Sequence, residues 1–264
     1  MTTVGDLVAV LDVWFPPSLA EDWDAVGLLT GRRADVASKV AFAVEVTDET
    51  LEWAIAEGAQ LLFVHHPLYL RGTTTVDGDS AKGALIHRAI TSGLAIFVAH
   101  TNADIARPGV SDALATAFGL DVTSPIRPLP SNAALGVGRT GLLDAPVTLA
   151  EFVQRVVAAL PLGDGVVRWA GDPQRRIESV ALCGGAGDDL LSEVRADVYV
   201  TSDLRHHVAL DYLATNQAAL IDIPHAVAES LWLVPLATRV ASTFADIACT
   251  VYEGSTDPWS GAVL

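Results

Sequence analysis

The chain is poor in lysine, in cysteine and in long apolar runs. Two lysines, Lys39 and Lys82, stand against fourteen arginines, and the formal net charge is −16. Phosphate binding draws on clustered Lys and Arg, so this balance argues against a nucleic-acid partner. The acidity favours solubility and attraction of cations. Two cysteines, Cys183 and Cys249, are too few for a disulfide framework and point to a reducing cytoplasm. Hydrophobic residues reach 51%, yet no charge-free apolar stretch attains the ~18 residues of a membrane-spanning helix. No basic residue precedes Arg32, and Asp6 and Asp12 lie early, so the start does not read as a secretory signal. There is no GxGxxG, no Walker GK[ST] and no Gly-x-Ser-x-Gly elbow. The apolar excess is expected in a buried α/β core and in subunit interfaces.

What is present alternates. KVAFAVEVT (39–47), LLFVHH (61–66) and LAIFVAHTN (94–102) read as strands. DETLEWAIAEGA (48–59), KGALIHRAITSG (82–93) and SDALATAFGL (111–120) read as helices, with Thr47 or Asp48 capping the first and Ser111 the last. Strand–helix alternation predicts parallel strands covered by helices. Pro, Ser and Gly gather at 121–140, which marks a domain boundary. Beyond it, TLAEFVQRVVAAL (148–160) reads as helix and IESVALCGGAGDDLLSEV (177–194) as strand, glycine turn and helix. ADVYVTSD (196–203) follows as strand, HVALDYLATNQ (207–217) as helix and AALIDIP (218–224) as strand. HAVAESLWLVPLATRVAS (225–242) reads as a single helix and IACTVYEG (247–254) as a last strand. The expected fold class is α/β: two interlinked domains with mostly parallel sheets covered by helices. The first domain takes 1–125 plus about 226–264, and the second about 126–225.

Function in open α/β sheets gathers at the C-terminal ends of strands. Six of the seven histidines fall just after predicted strands: His65, His66, His100, His206, His207 and His225. The seventh, His87, lies inside a predicted helix. On a regular strand His65 and His66 would point to opposite faces. Pro67 ends the strand behind them, so both rings can turn to one side. Adjacent rings chelate one ion poorly but suit two ions a few ångströms apart, and a carboxylate can bridge such a pair. A polar strand end explains the doublet equally simply. In HTNADIARPGVSDAL (100–114), Asp104 is a further candidate ligand, or else a turn aspartate bonded to its own backbone. His100 and Asn102 are expected to hold ligands by hydrogen bonds. HAVAE (225–229) places His225 and Glu229 four apart on one helical face, as a ligand pair or an ordinary surface pair. The glycines of CGGAGDDLL (183–191) read as a tight turn, and Cys183 as a small buried residue.

Nine stretches in collinear order carry a resemblance: DWDAVGLLTG, AFAVEVT, LLFVHHPLYL, AHTNADIARPGVSDALA, GVGRTG, ALCGGAGDDLL, ADVYVTSDLRHHVALDYL, IDIPHAVAE and STDPWS, from residue 22 to residue 260. Together they resemble the NIF-three-like or dinuclear metal-centre hexamer family, whose members are called GTP cyclohydrolase 1 type 2 homologues. The resemblance implies metal ligands at His65, His66, Asp104, His225 and Glu229, with His100, Asn102 and His207 supporting them. It implies two divalent ions (Zn, Fe or Mn) in a cleft between two α/β domains, with Glu229 as the bridge. It further implies a toroidal homohexamer, and this chain lacks the large mid-chain insertion of some relatives. Ala25 follows Asp24 where the family usually has asparagine, which removes an amide from a contact near the site. Pro224 stands where glycine is frequent, and Ser230 follows the glutamate.

Two functions are compatible with this pattern. One is a cytoplasmic metal-dependent hydrolase acting on a nucleotide or phosphorylated small molecule, with His100, His207, Asp203 and Glu229 as acid–base candidates. The other is a non-catalytic hexameric metal-binding or regulatory scaffold. Five ligands for two ions leave open coordination positions, which favours the hydrolase. Neither reading involves nucleic acid or a membrane.

Overall fold

The first helix, α1 (Val4–Trp14), begins at a reciprocal cap. The Thr3 hydroxyl accepts from Asp6 N–H, and the Asp6 carboxylate accepts from Thr3 N–H. Its apolar stripe of Val4, Leu7, Val8 and Leu11 is buried. The computed structural model of the protein describes residues 1–163, 165–215 and 218–261. These separate into two compact units. One takes Met1–Ala106 with Leu233–Thr256, the other Arg107–Trp232 with the stretch from Asp257. From sequence the crossings fall near 125 and 226; in the structure they fall after Ala106 and after Trp232.

After α1 the first unit continues through β1 (Gly27–Thr30), β2 (Lys39–Ala43), α2 (Asp48–Ala56), β3 (Leu61–Val64), α3 (Ala81–Thr91), β4 (Ala95–Val98) and α4 (Thr101–Ile105). The second unit runs α5 (Val110–Ala117), β5 (Leu120–Ser124), β6 (Arg127–Leu129), β7 (Asn132–Val137), β8 (Arg139–Thr148), α6 (Leu149–Ala159), β9 (Arg168–Ala170), β10 (Arg176–Ala186), β11 (Val198–Ser202), α7 (His206–Thr215), β12 (Ala219–Asp222) and α8 (His225–Ser230). The chain then returns to the first unit with α9 (Leu233–Thr243) and β13 (Ala248–Val251).

Among the described residues, the first unit has a five-stranded sheet in the order β1-β4-β3-β2-β13. All its pairings are parallel except β1 with β4. The four residues of β3 are all buried, and so are those of β4. Such strands are covered on both faces and therefore read as continuous apolar runs. Leu51, Leu62, Leu85, Ala89 and Ile96 belong to the core cluster of this unit.

The sheet of the second unit runs β5-β8-β10-β11-β12-β9, and only its β10-β11-β12 pairings are parallel. Residues 121–140 are not a linker. They supply most of β5, the β6–β7 pair and the start of β8. Pro130 and Ser131 form the turn between β6 and β7, because the residues that punctuate linkers also punctuate hairpins. Ser111 is not the cap of α5, which starts from Gly109. Its hydroxyl accepts instead from Gly184 N. The stretch 225–242 is not one helix either. It divides between α8 and α9, which puts Pro235 in the first turn of α9, where a missing N–H costs nothing.

One buried ion pair fastens α5 to β8. Arg139, fully buried, donates Nε and Nη2 to the two oxygens of Asp112 at 2.9 and 2.8 Å. Its Nη1 donates to the carbonyls of Gly136 and Gly138, each at 2.8 Å. Asp112 also accepts from Gly109 N–H at the start of α5. Replacing Asp112 by alanine removes a two-pronged charged partner from a buried guanidinium and is expected to cost about 3–5 kcal/mol, read by urea denaturation.

A second prediction concerns Asp197. Partial burial opposes its ionisation, but hydrogen bonds from Ser179 and Glu178 outweigh that and hold its carboxyl below the usual 3.8. A carboxyl depressed in the folded state contributes stability above its unfolded value and loses it as pH falls below. Asp197→Asn should therefore lower the melting temperature at pH 7. Its deficit against the parent should shrink below pH about 4, as melts across pH 7 to 3 would show.

Candidate metal centre

The doublet sits where the strand ladder gives way. β3 ends at Val64, and the N–H groups of His65 and His66 both reach the carbonyl of Val44, at 3.1 and 2.9 Å. Two successive residues thus share one acceptor, which breaks the alternation that would send their side chains to opposite faces. Their ring centroids lie 5.0 Å apart. His100, just past β4, brings a third ring to 5.2 Å from His65 and 5.4 Å from His66. One ring nitrogen from each of the three lies within 4.8 Å of the others.

Each ring is held from behind by an acceptor at Nδ1. His65 Nδ1 donates to Ala99 O at 2.8 Å, His66 Nδ1 to Glu45 Oε1 at 2.8 Å, and His100 Nδ1 to Asp24 Oδ1 at 2.8 Å. With Nδ1 carrying the hydrogen, Nε2 carries the lone pair. This is how proteins orient histidines that bind metal. Glu45 Oε2 is also buried and has no hydrogen-bond partner among the described residues, as suits a carboxylate beside a cation. The donor set therefore fits a divalent metal.

Asp24 is completely buried at its side chain. Burial works against its charge, but hydrogen bonds from His100 and Thr101 outweigh that and hold the carboxyl well below the usual range. Thr101 gives both its N–H, at 3.0 Å, and its hydroxyl, at 2.5 Å. Asn102 is not aimed at a ligand atom. Its Oδ1 accepts from His100 N, and its Nδ2 donates to Phe15 O, so it fixes the turn that presents His100. Asp104, on α4, has Oδ1 3.9 Å from His65 Nε2.

The second unit carries its own group. On α8, His225 Nε2 lies 3.0 Å from Glu229 Oε1, and Glu229 is buried. His225 Nδ1 donates to Asp203 Oδ2 at 2.7 Å. Asp203 follows β11 with φ of 58°, a left-handed conformation that aspartate tolerates better than most residues. His206 and His207 start α7, exposed, with their rings edge to face at 5.1 Å. His206 also lines a separate cavity of about 300 Å³ with Trp169, Leu204 and Leu210.

The family model described as Duf34/NIF3 (NGG1p interacting factor 3) matches residues 2–258. The chain belongs to the DUF34/NIF3 family. Among curated NIF3-family relatives, a protein of Streptomyces coelicolor named GTP cyclohydrolase 1 type 2 homolog is 41% identical, over 100% of this chain and 95% of its own. A protein of the same name from Mycobacterium tuberculosis is 33% identical, over 97% of this chain and 96% of its own. That alignment spans 367 residues, more than this chain possesses, so the mycobacterial relative carries additional sequence within the matched span. Solved NIF3-like folds agree. A Bacillus cereus protein related to NIF3 superposes with a TM-score of 0.90 at 21% identity, covering 98% of this chain and 99% of its own. A Staphylococcus aureus hypothetical protein gives 0.89 at 26% identity, covering 99% of both. No helix among the described residues of this NIF3-family chain is long and apolar enough to cross a membrane.

Sequence reasoning left out Glu45, Asp24 and Gly185. Asp24 stood inside a recognised stretch, and Glu45 lies two residues beyond β2, the same strand-end position as the histidines. In sequence Gly185 reads as part of a turn, but β10 runs on through Ala186. A Cβ on Gly185 would come within 2.8 Å of Glu229 Oε1 and 3.2 Å of His225 Nε2, and its φ is +69°. The glycine makes room for the α8 pair. Gly185→Ala is expected to cost about 1–3 kcal/mol from backbone strain alone. It should also displace Glu229, which a crystal structure of the variant would record.

Proposed function

We propose that this NIF3-family protein is a cytoplasmic, dinuclear metal-dependent hydrolase acting on a nucleotide or phosphorylated small molecule. The observation that carries the reading is the group of three histidines at the ends of parallel strands, each with Nδ1 tied to a fixed acceptor. The proposed ligands are His65, His66 and Asp104 in the first unit and His225 and Glu229 in the second, for Zn, Fe or Mn. Glu229 is the proposed bridge, because a buried carboxylate needs positive charge beside it. Asp203 keeps the His225 ring from swinging away. When bound, such ions polarise a substrate oxygen or ring carbon and activate water. Five side chains for two ions leave coordination positions open, as catalytic sites require and structural sites do not.

The relatives' name makes GTP the first substrate to test, followed by small phosphoesters. A homohexamer, implied by the family resemblance, is the proposed assembly, and light scattering would measure it. Protein purified without chelator or nickel affinity is expected to hold about two ions per chain, and His65→Ala/His66→Ala almost none. Hydrolysis should follow the metal and vanish in the variant. A fully loaded parent that turns over neither nucleotides nor phosphoesters would favour the non-catalytic scaffold.

A further inference from the structure

Among the described residues, the candidate metal groups take His65, His66, His100 and His225 and leave the strand-end His206 aside. His206 lines the cavity of about 300 Å³ instead. We infer that this cavity binds a small aromatic acid, its ring against Trp169 and Leu210 and its acid group on Arg168 and His206. The site lies wholly within the second unit, between the edge strand β9, β12 and α7. It needs no metal, so it stands apart from the function proposed above.

The walls are apolar, with Leu204, Leu213 and Leu220 beside Trp169 and Leu210. Trp169 is nevertheless 42% exposed and Leu210 54%, apolar area that a bound ring would cover. The helix α7 does not close over this space, because only Tyr212 of its ten residues is buried. A cavity of about 300 Å³ lies at the small end of ligand pockets, which are mostly apolar with a few polar groups that fix orientation.

The polar groups here present donors. Arg168 gives Nε and Nη2 to Asp222 Oδ2, and its Nη2 also lies 3.5 Å from Leu204 O. These bonds leave Nη1 uncommitted among the described residues. The Asp222 side chain is 15% exposed against 68% for Arg168, and its Oδ1 already accepts from Leu204 N at 2.9 Å. An incoming molecule therefore meets the guanidinium before the carboxylate. A guanidinium oriented by one carboxylate can take a second acid group on its free edge. His206 adds an imidazole N–H.

The test is calorimetric titration of the full chain with 2-naphthoate and with its neutral and cationic counterparts, 2-naphthylmethanol and 2-naphthylmethylamine. Naphthoate is expected to bind once per chain and at least about tenfold more tightly than the amine. Trp169→Ala should weaken acid and alcohol alike, by about threefold or more, and Trp169→Phe should recover part of the loss. Arg168→Gln should remove the acid's advantage over the alcohol while leaving the alcohol's affinity unchanged. Thermal melts check that each variant folds. The His65→Ala/His66→Ala variant should bind naphthoate as the parent does. Loss of binding there would place the carboxylate on a metal and overturn the inference without touching the metal reading. Equal affinity for all three compounds would overturn the role of Arg168 and the acid assignment with it. No binding of naphthoate would overturn the inference outright, and a changed oligomer mass in Trp169→Ala would then make the cavity a contact between copies of the chain.

Discussion

Three Nδ1 hydrogens, and what accepts them, set the character of the histidine group. An imidazole offers its Nε2 lone pair to a ligand only when its proton sits on the other nitrogen, and an acceptor held in place keeps it there. The acceptors here come from three parts of the first unit: a carboxylate just beyond β2, a carbonyl just beyond β4, and a carboxylate ahead of β1. The rings are therefore oriented only when β2, β3 and β4 are in register, as they are from Val40, Leu61 and Ala95 onward. Sheet assembly and ligand orientation are one event in this unit.

The second unit repeats the device with different parts. Asp203, itself left-handed just past β11, takes the Nδ1 hydrogen of His225, and His225 turns its other nitrogen to Glu229. The close approach of α8 to β10 depends on Gly185 having no side chain. Both units thus place chemistry where parallel strands end, and in both a fixed acceptor holds an imidazole from behind.

Much of this could be read from sequence because it rests on local signals. The apolar runs of β2, β3 and β4, the histidines that follow strands and the His225–Glu229 spacing all declare themselves within a few residues. The parts that were missed depend on residues far apart in the chain. Asp24 and His100 are 76 positions apart, and Glu45 and His66 are 21 apart, so no spacing rule joins them. In sequence the β5–β8 region reads as a boundary because its Pro, Ser and Gly mark hairpins and linkers alike. Arg139, in GVGRTG, looked like part of a fingerprint, and only the fold shows that it is buried against Asp112.

The first unit is discontinuous, and this orders events during synthesis. The strand β13 pairs with β2, so the outer edge of β2 stays open until residues 248–251 have been made. Arg107–Trp232, the main segment of the second unit, must be translated in between. At bacterial or eukaryotic elongation rates that interval is on the order of ten seconds. Through it, the N–H and C=O groups along Lys39–Ala43 form an unguarded edge, the kind of template on which chains mispair. Every residue of the three-histidine group precedes Arg107, so the nascent chain possesses its complete imidazole set well before its own sheet can close.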